Sequence, residues 1–158
     1  MQPFFTTLKL ISRPYSSKMH DLLMPLGLTE IQWGLIRILQ EEGPSTFTDV
    51  AAYWRVEKPS VTPIAQKLVD QDLIYIGTGQ DKRQKVMHLT SLGVLKYKEA
   101  KLIVEAFQMD LLKGILQNVD EINMVITQLK KLLDMNPEVD SFTKLDNWLK
   151  QGEYIIND

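Results

Sequence analysis

GTGQDKRQKVMHLT, residues 77–90, places three cations, Lys82, Arg83 and Lys85, within four positions of a chain whose formal net charge is −2. Before it, Leu73 to Ile76 is short and β-prone, Gly77 to Asp81 is turn chemistry, and Lys85 to Leu89 alternates polar with apolar residues. Strand, turn and strand in that order read as a β-hairpin with a cationic tip. On the charge run alone two meanings stay open: a solvated tip, which is what most charge runs are, or a tip shaped to meet a polyanion.

The residues upstream read as helices with clear start and stop signals. Phe4, Leu8, Ile11, Tyr15, Met19, Leu22 and Leu23 fall at helical spacing, with Pro14 inside the run, where a missing N–H and a ring clash predict a bent helix. Thr29 and Gln32 have the spacing of a capping box, flanked by Leu28 and Trp33 as a hydrophobic staple; Leu35, Ile36 and Leu39 carry the helix on to Gly43-Pro44. A second box, Thr46 with Asp49, opens a helix of about two turns with Val50, Ala51 and Trp54 facing inward. After a break at Arg55-Val56-Glu57, a further helix from about Lys58 to Gln71 buries Val61, Ile64, Ala65, Leu68 and Val69. Two short helices joined by a tight break are a helix-turn-helix candidate.

Downstream, Thr90 starts a long helix with Leu92, Leu95, Ile103, Phe107, Leu111 and Ile115 broadly on one side. Asn118-Val119-Asp120 starts another, carrying Ile122, Val125, Ile126, Leu129, Leu132 and Leu133. Beyond Pro137, Phe142, Leu145, Trp148 and Leu149 form the stripe of a last amphipathic helix, expected to pack on the helical base from its own chain or a partner's. Charge is segregated: residues 82–101 hold six cations against one acid, whereas residues 102–158 hold five lysines against ten acids. A basic patch therefore sits on an acidic body.

Helix, helix, short helix, turn, helix and basic hairpin is the element order of a winged helix-turn-helix, in which one helix enters the major groove of DNA and the hairpin reaches an adjacent groove or the backbone. Three motifs make the likeness specific. Asp81-Lys82-Arg83, an alternating strand, then Leu89-Thr90-Ser91-Leu92-Gly93 resembles the wing signature of the multiple-antibiotic-resistance regulator (MarR) family. Leu26-Gly27-Leu28-Thr29 with Gln32-Trp33 resembles the start of that family's second helix, and Lys58-Pro59-Ser60-Val61-Thr62 the start of its recognition helix.

The resemblance covers residues from about 4 to 135 and implies a mainly α fold. A winged helix-turn-helix domain with a β-hairpin wing would span 29–90, residues 1–28 and 91–135 would form a helical dimerisation region, and 136–158 would be an added tail. It further implies a homodimer on pseudo-palindromic double-stranded DNA. By position, Lys58, Ser60, Thr62, Gln66 and Lys67 would face the DNA from the recognition helix, and Lys82, Arg83 and Lys85 from the wing, with Asp81 orienting Arg83. His20, Met24, Trp33 and Arg37 would border a cleft for a small aromatic or anionic effector.

Three residues depart from the family pattern. Pro63 replaces a common arginine and predicts a recognition helix that bends or begins late, with Thr62 as its cap. Asp72 replaces glycine before Leu73-Ile74, and Arg55 stands where the turn usually has glycine.

Other chemistries find little support. The chain has no cysteine, so disulfides, thiolate metal sites and cysteine-based oxidant sensing are excluded. Its two histidines, His20 and His88, lie in different elements without ligand spacing, and Gly77-Thr78-Gly79 lacks the context of a nucleotide loop. No cofactor and no catalytic arrangement is implied. No apolar window suggests a membrane span, and a soluble, cytoplasmic protein is the simplest expectation. The competing reading is a winged-helix protein-interaction module that has lost sequence-specific DNA binding, suggested by the net negative charge, Pro63 and the acidic C-terminal third.

Overall fold

A computed structural model describes residues 2–79, 83–113 and 119–135. The order is α1 (Gln2–Leu23), a 3-10 turn (Met24–Leu26), α2 (Glu30–Glu41), β1 (Ser45–Thr46), α3 (Phe47–Trp54), α4 (Lys58–Asp70), β2 (Ile74–Thr78), β3 (Lys85–Leu89), α5 (Ser91–Lys113) and α6 (Val119–Met135). Ile115, Asn118, the 136–158 tail and the tip residues Asp81 and Lys82 fall outside the described residues.

Both capping boxes form. Thr29 accepts from the Gln32 backbone while the Gln32 side chain accepts from the Thr29 N–H at 2.8 Å, and Thr46 and Asp49 repeat the exchange at the head of α3. The staple residues Leu28 and Trp33 are both buried. Gly43, at φ +89°, takes the left-handed conformation that ends α2 without a side-chain clash.

The core lies where α2, α3, α4 and the wing base meet: Leu35, Ile36, Val50, Val61, Leu68, Ile74 and Met87 are almost fully buried. Met19 and Leu23 at the end of α1, with Tyr97, Ala100 and Val104 of α5, extend it toward the long helices. The three strands run in the order β1-β3-β2, both pairs antiparallel. The two-residue β1, absent from the sequence reading, pairs Ser45 with Met87 and Thr46 with Val86. This pairing sets the head of α3 beside the wing.

Three helices add detail to these expectations. α1 is one helix from Gln2 to Leu23, as its periodicity predicts, and carries Pro14 inside it in an exposed position. α4 begins at Lys58, as its spacing predicts, and the late start at Thr62 that Pro63 offered is not taken; Pro59 lies in its first turn, where no N–H is needed, and Pro63 is carried inside on the exposed side. On α5 the core-facing residues are Gly93, Tyr97, Ala100 and Val104, whereas Leu92, Leu95 and Leu111 are exposed in the single chain. Small residues let the helix approach closely, and a count of large apolar side chains misses that face.

The two departures that stand in place of glycine both adopt left-handed backbone, Arg55 at φ 55° and Asp72 at φ 56°. Arg55 caps α3, and its guanidinium donates to Asp134 of α6 at 2.8 Å. The arginine of the turn is thus tied to the last described helix.

Candidate nucleic-acid interface

The wing is anchored before it is charged. β2 and β3 pair from Ile74 opposite Leu89 to Thr78 opposite Lys85, and the Gly79 N–H donates to the Gln84 carbonyl at 2.9 Å. On one side of the ribbon Ile74 and Met87 enter the core; on the other Tyr75 stacks on His88 with ring centroids 4.9 Å apart. His88 therefore has a packing partner.

At the wing's root, Thr90 joins three segments. Its N–H donates to the Leu73 carbonyl at 3.1 Å, its hydroxyl donates to the Asp72 carbonyl at 2.6 Å, and the same oxygen accepts from the Gly93 N–H at 2.9 Å. The Leu-Thr-x-x-Gly motif is the joint that holds wing, recognition helix and α5 together.

Between the wing, α4 and the head of α3 lies an open groove of about 790 Å³. Lys58, Thr62 and Gln66 line it from α4, Ile76, Arg83, Gln84 and Lys85 from the wing, Thr46 from β1, and Thr48 and Asp49 from α3. Five of the sequence-selected DNA-facing residues thus converge: Lys58, Thr62, Gln66, Arg83 and Lys85. Ser60 and Lys67 are exposed on α4 but do not line the groove. Thr48, Asp49, Gln84 and Ile76 were not selected from sequence; Thr48 and Asp49 are brought to the wing by the β1–β3 pairing, and Gln84 and Ile76 belong to the wing itself.

Asp49 is the acid among these cations. The Thr46 hydroxyl, and then the Thr46 backbone N–H, hold its carboxyl below the ordinary carboxylate range. Its charge is directed at the α3 cap, at 2.7 Å from Thr46 Oγ1 and 2.9 Å from Thr46 N. Three cations against one acid leave the groove positive, suited to a phosphate backbone.

A second cavity, of about 450 Å³, lies between α1, α2, the α3–α4 turn and α5. Tyr15, Trp33 and Trp54 supply aromatic walls, and Glu30 and Arg37 supply charge. Gln108 donates to the Tyr15 hydroxyl at 2.8 Å, and Trp33 stacks on Tyr97 with centroids 5.5 Å apart. Of the four residues placed beside an effector cleft, Trp33 and Arg37 line this cavity. His20 and Met24 are exposed and do not.

Among the described residues no group of three or more His, Asp or Glu is placed to hold a metal ion. No single helix among them is long and apolar enough to cross a membrane.

A helix-turn-helix pair backed by a hairpin, with cations and polar side chains meeting in one groove, defines a winged helix-turn-helix DNA-binding protein. Residues 26–84 match the profile of the MarR family. The chain is 32% identical over 101 residues, 64% of its length and 74% of the relative's, to the Uncharacterized HTH-type transcriptional regulator YwoH of Bacillus subtilis strain 168. The fold resembles that of Staphylococcus aureus MarR in complex with salicylate and kanamycin, with a TM-score of 0.74, 24% identity and coverage of 87% of this chain and 93% of that one. It also resembles a mutant MarR from E. coli complexed with operator DNA, with a TM-score of 0.72, 20% identity and coverage of 83% and 94%. The chain belongs to the MarR family and is a DNA-binding transcriptional regulator, not an enzyme.

Proposed function

We propose that the protein acts in the cytoplasm as a homodimeric repressor on a pseudo-palindromic operator. The observation that carries this reading is the convergence of Lys58, Thr62 and Gln66 of α4 with Arg83 and Lys85 of the wing in one groove. The hydroxyl and amide suit base edges or phosphates, the lysines suit phosphates, and an arginine at the wing suits a narrow minor groove. Ser60 and Lys67 would contact the flanking backbone; Lys82, with Asp81 orienting Arg83, would complete the wing.

Apolar exposure supports the dimer. Phe4, Phe5, Leu10 and Ile11 on α1, Leu102 and Met109 on α5, and Met124 and Val125 on α6 are all largely exposed in the single chain. Pairing through residues 1–28 and 91–135 would cover them and set two 29–90 domains about 34–36 Å apart, one turn of DNA. The Trp33–Arg37 cavity would receive a small aromatic or anionic effector. Its outer wall includes Trp54 and Val56, which flank the helix-turn-helix turn, so occupancy can alter the setting of α4 if the two DNA-binding shapes hold the effector with different affinity.

Fluorescence anisotropy with labelled duplex from the protein's own upstream region, against scrambled duplex across a salt series, tests the reading. Selective binding that weakens steeply with salt is expected, and Arg83→Ala should weaken it without unfolding the protein. Arg83→Ala with unchanged operator affinity and intact structure would refute the wing assignment. Absence of selective binding, there and across a genomic pool, would favour an interaction module.

A further inference from the structure

Thr62, Gln66 and Asp70 recur every fourth residue along α4 and so stand in one row on the helix. Thr62 and Gln66 line the groove, and Asp70 lies one turn beyond. The Gln66 Nε2 donates to Asp70 Oδ1 at 2.9 Å. An acid on the rim of a DNA-binding face repels phosphate, so its presence there calls for a compensating role.

We propose that Asp70 is a positioning residue for base reading, which locks the Gln66 amide in the orientation that selects adenine at one position of each half-site. This rests on the DNA-binding reading above. An ionised carboxylate only accepts hydrogen bonds, so the amide nitrogen, and never Oε1, faces Asp70. One Nε2 proton is thereby engaged. With the proton trans to Oε1 engaged, Oε1 and the proton alongside it remain, an acceptor beside a donor in the amide plane.

That pair complements the major-groove edge of adenine, which presents the N6 amino donor beside the N7 acceptor. Guanine presents two acceptors, O6 and N7, and would set its O6 against the Gln66 oxygen. A glutamine without such a partner can rotate its amide and offer both nitrogen protons to guanine. Asp70 removes that option.

The test is selection from a randomised duplex pool by the full-length protein, followed by competition binding at every position of the selected site. Wild type, Gln66→Ala, Asp70→Ala and Asp70→Glu are compared. Wild type is expected to prefer adenine at one position per half-site by roughly 5- to 150-fold, the span of a good bidentate pair. Gln66→Ala should lose that preference alone. Asp70→Ala should admit guanine at the same position while binding all duplexes more tightly at low salt, and Asp70→Glu should restore the preference.

A selective wild type whose Asp70→Ala variant keeps the adenine preference, or loses selectivity evenly across the site, overturns the positioning role. A wild type that selects no duplex overturns the DNA-binding reading itself, and this inference with it.

Discussion

Gly93→Ala should destabilise the protein, although alanine is the better helix former by about 1 kcal/mol. Gly93 is the third residue of α5, and a Cβ at this position would overlap the carbonyl oxygen of Leu73 and come within 3.0 Å of its carbonyl carbon and 3.1 Å of Leu89 Cδ2. The carbonyl cannot easily yield. It accepts from the Thr90 N–H at 3.1 Å, and the Leu73 N–H is itself bonded to Leu68 at 2.9 Å. Relief requires lifting the head of α5 from the chain leaving α4.

Overpacking of this kind costs about 1–3 kcal/mol. Weakening the two bonds that Thr90 makes to the Leu73 carbonyl, from its N–H at 3.1 Å and from its hydroxyl, shared with Asp72, at 3.2 Å, adds about 0.5–1.5 kcal/mol each. Set against the helix-propensity gain, the net loss is roughly 1–5 kcal/mol, which at this chain length lowers Tm by roughly 2–20 °C. Thermal unfolding of both proteins at one fixed concentration measures it, because the midpoint of an oligomer depends on concentration. A variant as stable as wild type, or more so, would mean that helix propensity outweighs the close approach and that the joint is looser than described.

Other perturbations separate the remaining contacts. Thr46→Ala removes the α3 cap and should cost about 1 kcal/mol in denaturant unfolding. Because Asp49 titrates lower in the folded protein, its contribution is present above the ordinary Asp value and is lost as pH falls through the depressed folded value; Asp49→Asn should remove that part of the acid sensitivity. Arg55→Gly relieves a left-handed arginine while removing a partly exposed ion pair, so stability should change little or rise. In a double-mutant cycle, Arg55→Ala with Asp134→Ala should show coupling of no more than about 1 kcal/mol, and a larger value would show that α6 braces the turn more strongly than a surface pair can. Lys85→Ala should flatten the slope of log K against log salt by about 1.8, one phosphate per protomer, leaving base preference unchanged.

Local patterns in the sequence were sufficient for the elements whose signals lie within a few residues. The two capping boxes, the Gly43 stop, the helix-turn-helix pair and the hairpin all depend on bonds between near neighbours, and they appear where the residues predict them, save that β2 runs on through Gly77 and Thr78, which read as turn. Periodicity also identified the α2 and α4 core faces, because those helices bury large side chains. It failed on α5, where contact is made through Gly93 and Ala100, and on β1, whose two residues carry no period at all.

The site divides in the same way. Charge and motif alone picked out the cations of the wing and α4, since each cation announces itself in the sequence. The tertiary structure decided which of these residues share a groove, brought Thr48 and Asp49 to it through the β1–β3 pairing, and placed Trp33 and Arg37 at a cavity that His20 and Met24 do not line. It also turned Arg55 away to Asp134, 79 residues along the chain. Spacing along a helix fixes direction around its axis, but distance between elements is set by packing, and the residues that determine packing are often too small to show a pattern.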